Sequence, residues 1–254
     1  MSNHPSLWPF PRMIVHRAGG FLAPENTRAA FEVAVNLKCD AIETDVMMTS
    51  DGELILSHDE ELGRAVDGVG LVAEMTKAEL LKLDAGIRFG SQWQGQRMMT
   101  FEESLLFCHA HDLFMNIEIK PAQGFAKETA QAVARTLAAF AAAGKVRGDR
   151  VLISSFSVQA LSAFRAVDAN TTCGLLLEDV PENWLSVAHE LGVKTVHSDY
   201  TIVTPEFVAV AHDAGLGIMA YTVDDVEQAQ TLLAMGVDAI CTNRPDVLAP
   251  VLVA

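Results

Sequence analysis

Hydrophobic and polar positions along this 254-residue chain follow two alternating periods. Runs dense in Val, Ile, Leu and Met, with polar residues two apart, predict strands at 13–18 (MIVHRA), 41–47 (AIETDVM), 53–58 (ELILSH) and 114–120 (FMNIEIK). Further strands are predicted at 151–156, 172–178, 195–200, 217–223 and 239–243. Between most of them the apolar spacing is helical, as in NTRAAFEVAVNLK, KETAQAVARTLAAFAAAG and PEFVAVAHDAG. Asn26 or Thr27, just after Pro24, is positioned to cap the first helix, and glycines follow several later ones.

Repeated βα units of this size imply a parallel sheet. Nine strands are one more than a (β/α)8 barrel holds. Ser50-Asp51-Gly52 resolves the surplus, because so short a link permits only antiparallel pairing of 41–47 with 53–58. Eight parallel strands remain. They predict an α/β fold, a (β/α)8 TIM barrel, as a single domain over 1–254. A doubly wound sheet is the runner-up, and no GxGxxG fingerprint supports it. The stretch 60–105 breaks the rhythm: it is rich in Gly and Gln, holds one short helix candidate (TKAELLKLD), and reads as a small inserted subdomain capping one end of the barrel.

Half of the residues are hydrophobic, enough for one sizeable core. A net charge of −15 disfavours nucleic acid as a partner but leaves room for a small anion held by local cations. Cys39, Cys108, Cys173 and Cys241 are scattered, which argues against a disulfide framework or a thiolate metal site. MSNHPSLWPFPR lacks the apolar stretch of a secretory signal, and no run is long enough to span a membrane, so a cytoplasmic location is expected.

Polar residues at the C-terminal ends of barrel strands are the natural candidates for chemistry. Those ends carry His16 and Arg17, then Glu43 and Asp45 with His58 returned by the hairpin, then Glu118 and Lys120. Later strands offer Ser154, Ser155, His197, Asp199, Thr222, Asp224 and Asn243. Glu43 and Asp45 are two apart and so share one face of their strand. With Glu118 they would repel one another unless a cation lay between them, and oxygen-only ligation suits Mg²⁺ or Ca²⁺. His16 and His58 suit an acid–base pair, and could instead be metal ligands. Arg17 and Lys120 suit a phosphoryl group. His197 could line the pocket, whereas His4, His109, His111, His189 and His212 read as surface residues. No GxSxG elbow and no P-loop competes.

The blocks HRAGGFLAPENT (16–27), AIETDVMMTSDGELILSHD (41–59), LDAG (83–86), NIEIKP (116–121), LISSF (152–156), AYTVD (220–224) and GVDAICTNRP (236–245) together resemble glycerophosphodiester phosphodiesterases of the bacterial cytosolic type. The resemblance implies a barrel of the phosphatidylinositol-phospholipase-C-like kind that hydrolyses glycerophosphodiesters, such as glycerophosphocholine or glycerophosphoethanolamine, to sn-glycerol 3-phosphate and an alcohol. It implies acid–base roles for His16 and His58, Mg²⁺ or Ca²⁺ ligation by Glu43, Asp45 and Glu118, and phosphate contacts from Arg17 and Lys120. Two positions depart from the family pattern: Ala18 stands where Gly is usual, and Tyr221-Thr222-Val223-Asp224 where Trp-Thr-Val-Asn is frequent. Two rival readings are a phosphodiesterase acting on lipids, lysophospholipase D-like or phosphoinositide-directed, and a non-catalytic phosphate-ester binder. The lipid reading would need an apolar access groove, for which Phe21, Leu22, Phe89 and Trp93 are candidates.

Overall fold

The computed structural model describes residues 7–252. Nine strands form one sheet: β1 (Met13–Val15), β2 (Ala41–Met48), β3 (Leu54–Leu56), β4 (Phe114–Ile119), β5 (Val151–Ser155), β6 (Thr172–Leu177), β7 (Thr195–Asp199), β8 (Gly217–Tyr221) and β9 (Ala239–Thr242). Eight of them are parallel, in the order β1-β9-β8-β7-β6-β5-β4-β2, and Val15 of β1 pairs with Ile42 of β2 to close the ring. Closure excludes the doubly wound alternative, since an open sheet keeps two edges. β3 lies outside the ring, antiparallel to β2, with Leu56 opposite Val46 and Leu54 opposite Met48.

The helices are α1 (Arg28–Asn36), α2 (Lys77–Leu80), α3 (Phe101–Ala110), α4 (Ala126–Ala142), α5 (Val158–Arg165), α6 (Trp184–Leu191), α7 (Pro205–Asp213), α8 (Val226–Met235) and α9 (Pro245–Leu252). Thr27 caps α1 by accepting the N–H of Ala30. The main core lies between barrel and helices, where outward residues such as Ile42, Ile117 and Ile153 meet Phe31, Phe101 and Phe164. Among the described residues no helix is long and apolar enough to cross a membrane.

Period-2 alternation sorts each strand. On β4, Met115, Ile117 and Ile119 join the outer core, leaving Phe114, Asn116 and Glu118 for the barrel interior. The β2–β4 register sets Ala41 beside Phe114, Glu43 beside Asn116 and Asp45 beside Glu118. The interior is thus apolar at its N-terminal end and acidic at its C-terminal end. The apolar end is plugged by the chain before β1: Trp8 packs with Ile14, Ala41, Phe114, Leu152 and Met219. Gly217 opens β8 there, and a Cβ on it would lie 2.8 Å from the carbonyl of Leu7.

Residues 57–100 form an irregular segment with 3₁₀ turns at Val72–Glu74 and Ser91–Trp93, plus the single turn of α2. Its own cluster of Leu62, Val66, Val72, Leu80, Ala85 and Met98 packs on Met47 and Ile55 of the hairpin. The segment ends where Thr100 and Glu103 form a capping box at the start of α3.

Several predicted strands are too long: 53–58 is strand only at Leu54–Leu56 and 217–223 only to Tyr221. The run 13–18 is strand only to Val15, because Arg17 (φ +50°) and Ala18 (φ +63°) adopt left-handed backbone that a ladder cannot accept. His16 and Arg17 therefore sit on a turn rather than a strand. Ala18 is fully buried in the main core, so its methyl is packed although its backbone conformation favours glycine.

Removing the plug should unfold the protein more easily without touching the opposite end of the barrel. Trp8→Ala is expected to cost about 3–5 kcal/mol of stability, read as a lower urea midpoint, while any activity of the folded protein at the polar end is retained.

Candidate active site

Three carboxylates meet at the C-terminal end of β2 and β4. Glu43, Asp45 and Glu118 each offer an oxygen within 4.8 Å of the others, and all three residues are buried. Burial, then the charges of Asp45 and Glu118, push the Glu43 carboxyl well above its ordinary range. Burial, then the charge of Asp45, push Glu118 from 4.5 up to about 7. Glu43 accepts the backbone N–H of Arg17 through Oε2 at 2.9 Å, but its buried Oε1 has no hydrogen-bond partner. A polar oxygen so buried is costly unless something electropositive meets it. Three oxygen donors, no thiolate among them and one lone buried oxygen fit a hard divalent cation.

Two imidazoles flank the acids. His16 Nδ1 lies 2.7 Å from Asn243 Oδ1, and its Nε2 lies 4.0 Å from Glu43 Oε2. His58 Nδ1 lies 2.7 Å from the Asp59 carboxylate, and its Nε2 accepts from Lys120 Nζ at 3.0 Å. Both rings therefore turn Nε2 inward. Both pKa values are lowered, chiefly by burial; the Arg17 charge adds to this at His16, and Arg17 and Lys120 add to it at His58, where Asp45 opposes them. The Ser50-Asp51-Gly52 turn is what returns His58: Ser57 N–H bonds the carbonyl of Asp45 at 3.1 Å, one residue short of the histidine.

The two cations complete the cluster. Arg17 Nη1 contacts both oxygens of Glu25 at 3.0 and 3.1 Å, while its buried Nε, 3.9 Å from Asp45, donates to nothing. Lys120 reaches Glu118 at 3.5 Å. Glu25 also accepts a forked pair from Arg64, which contacts Asp59 as well. Burial raises Glu25, yet the bonds from Arg64 and the charge of Arg17 bring its pKa below the ordinary value. A continuous ionic chain thus runs from Arg17 through Glu25, Arg64 and Asp59 to His58, and ties the irregular segment to the barrel mouth.

All seven residues expected to carry chemistry, His16, Arg17, Glu43, Asp45, His58, Glu118 and Lys120, lie in this one cluster. Of the other strand-end candidates, Asn243 joins the cluster through His16 and Asp224 through Asn243, whereas His197, Ser154, Ser155 and Asp199 do not. His197 is fully buried beside Trp8 and bonded to Thr195, with burial lowering its pKa to about 3, so it packs the barrel interior instead of lining a pocket. Ser154 is buried and unpartnered, Ser155 donates to the carbonyl of Ile119, and Asp199 caps the turn at Thr201. His109, His111 and His189 are exposed as expected, and His4 lies outside the described residues. His212 departs from the surface reading: it is partly buried and pairs with Asp238 at 3.0 Å. Of the groove candidates, Phe21 is exposed and Phe89 meets Trp93 edge-on.

Several supporting residues were not singled out from sequence. Asn26, read only as a possible cap, is buried at φ +56°, donates to Asp45 Oδ2 at 2.8 Å and accepts from Thr44. Asp59 and Glu25 orient His58 and Arg17. Their signal in the sequence is their position inside the PENT and SHD blocks, with Asp59 directly after His58.

Comparison with known proteins agrees over almost the whole chain. The profile of the glycerophosphoryl diester phosphodiesterase family matches residues 16–247. A glycerophosphodiester phosphodiesterase of Caldanaerobacter subterraneus subsp. tengcongensis is 33% identical over 237 residues, 93% of this chain and 95% of the relative. One from Bacillus subtilis is 32% identical, covering 92% of this chain and 83% of the relative. Among solved structures, a phosphodiesterase of Oleispira antarctica in complex with the product sn-glycerol-3-phosphate superposes with a TM-score of 0.90 at 28% identity, covering 96% of this chain and 98% of that one. The eight-stranded barrel, its acidic mouth and this likeness lead to one conclusion: the chain belongs to the glycerophosphoryl diester phosphodiesterase family, a family of phosphoric diester hydrolases.

Proposed function

We propose that this chain hydrolyses glycerophosphodiesters, such as glycerophosphocholine and glycerophosphoethanolamine, to sn-glycerol 3-phosphate and the free alcohol. The observation that carries the reading is the group of three buried carboxylates set between two inward imidazoles and two cations. Glu43, Asp45 and Glu118 would hold Mg²⁺ or Ca²⁺. Such an ion, when bound, supplies charge neutralisation for the phosphodiester and its transition state.

The protein's own groups do the rest. Arg17, whose Nε has no other partner, and Lys120 bind the phosphoryl oxygens and stabilise the charge that builds on them. One histidine takes the proton of the attacking hydroxyl through Nε2, and the other returns a proton to the leaving alkoxide. The attacker is the glycerol 2-hydroxyl, giving a cyclic phosphate that water opens, or water itself. For His58 to act, Lys120 must leave its Nε2, and a bound phosphate draws the ammonium away.

His16→Ala and His58→Ala should each lower kcat on glycerophosphocholine by at least about 100-fold, the low end of acid–base contributions; near-parental rates in both would sink the assignment. Chelation should abolish phosphate-ester release, and added Mg²⁺ or Ca²⁺ should restore it. Activity that survives chelation contradicts the metal role.

Metal binding should also be linked to pH. Glu43 and Glu118 have raised pKa values, so between the ordinary carboxylate value and about 7 the metal-free folded state holds more protons than the unfolded chain. By linkage this contribution to stability is lost as pH rises through that window, whereas a cation binds best to the deprotonated pair. The Tm difference between metal-loaded and chelated protein should therefore widen from pH 5.5 to pH 8; a constant difference would contradict the site.

A further inference from the structure

The orientation of His16 is set from beyond its immediate neighbour. Asp224, three residues after the end of β8, can only accept hydrogen bonds when ionised, with no proton to donate. Its Oδ1 takes the backbone N–H of Asn243 at 2.7 Å and the hydroxyl of Thr242 at 3.1 Å, and its Oδ2 takes Asn243 Nδ2 at 3.0 Å. With Nδ2 committed to the carboxylate, the Asn243 amide can turn only its oxygen to His16. Oδ1 stands 2.7 Å from His16 Nδ1. A carbonyl oxygen accepts, so Nδ1 must carry a proton, and in the neutral ring Nε2 then keeps its lone pair. The carboxylate also settles which end of the amide is oxygen, the point that such an assignment otherwise leaves to the network.

We propose that Asp224 and Asn243 are positioning residues for proton transfer: the Asp224 carboxylate aligns the Asn243 amide, and the amide locks His16 as the Nδ1–H tautomer with Nε2 facing the acidic cluster. This rests on the reading of His16 as a proton-transfer residue.

The surrounding backbone holds Asn243 in place. Phe21 N–H bonds the Asn243 carbonyl at 2.9 Å. Gly20, at φ +54°, comes so close that a Cβ there would lie 2.2 Å from that oxygen. β1 and β9 are paired through Val15 and Thr242, so histidine and asparagine each follow directly on a paired residue. His58 reaches the same tautomer by a direct bond to Asp59. The difference has an electrostatic reason. His16 lies 4.0 Å from Glu43, where a directly bonded carboxylate would add a fourth acidic group to the cluster. An interposed amide passes on the orientation and keeps that charge one group further away.

The test combines steady-state kinetics on glycerophosphocholine at saturating metal with proton–nitrogen correlation spectra of the imidazoles at a pH where both rings are neutral. In the parent protein His16 should show a protonated Nδ1 and a bare Nε2; a protonated Nε2 overturns the proposal whatever the variants do. Asn243→Ala and Asp224→Ala should lower kcat about 10- to 100-fold, as loss of outer hydrogen-bond partners does, with KM and the metal titration midpoint little changed. Their His16 signals should move to a tautomer average while those of His58 stay. Asp224→Asn keeps one oxygen acceptor, so it should fall between, and it carries the kinetic test if the alanine variants fold poorly. Parental kcat and an unchanged His16 tautomer in variants that fold, alongside an inactive His16→Ala, would overturn the positioning role alone. Full activity of His16→Ala would instead remove the reading on which it rests.

Discussion

Mutual repulsion among three buried carboxylates is the constraint to which this structure answers. Glu43, Asp45 and Glu118 share one corner at the barrel mouth, and two of them are pushed towards their protonated forms. Almost every polar group nearby can be understood as a response. Arg17 and Asn26 donate to Glu43 and Asp45, and Lys120 leans on Glu118. These donors leave Glu43 Oε1 unmet. A corner of this kind is poorly suited to an ion-free resting state and well suited to a divalent cation.

The barrel makes such a corner possible because its interior is divided along its axis. The N-terminal half is filled by Trp8, Phe114, Leu152 and Met219, and its packing supplies the rigidity on which the polar half stands. Strand register carries that rigidity to the chemistry. Asp45 lies beside Glu118 because Ala41 lies beside Phe114, two steps of two residues below. A slip of one residue in β2 would turn Glu43 and Asp45 outward into the helical layer, and one in β4 would turn Glu118 outward.

Around the acids the mouth is assembled from separate loops joined by charge. Arg64 of the irregular segment bridges Glu25 and Asp59, so one side chain couples the orientation of Arg17 to that of His58. On the opposite side Asp224, Asn243 and His16 form a second chain with a neutral link. The two histidines present the same nitrogen through different supports, each compatible with the charge already beside it.

Much of this was legible in the chain. Alternation of period two and the short Ser50-Asp51-Gly52 link were enough to count eight parallel strands and one return arm, because side-chain direction and loop reach are local properties. The spacing of Glu43 and Asp45 placed the pair on one face for the same reason. Other features were set only by tertiary contact. β1 stops at Val15 because the following turn packs Gly20 against Asn243, more than two hundred residues away. Asn26 serves Asp45 rather than a helix end, since the turn at φ +56° aims its amide across the mouth. His197 carries a strand-end signature yet is sealed among Trp8 and Thr195, because its depth depends on the plug and not on its own strand. What the sequence by itself determined was which residues face inward; how deep each lies and which partner it meets were decided by closure of the barrel, which brings together strands that no local pattern connects.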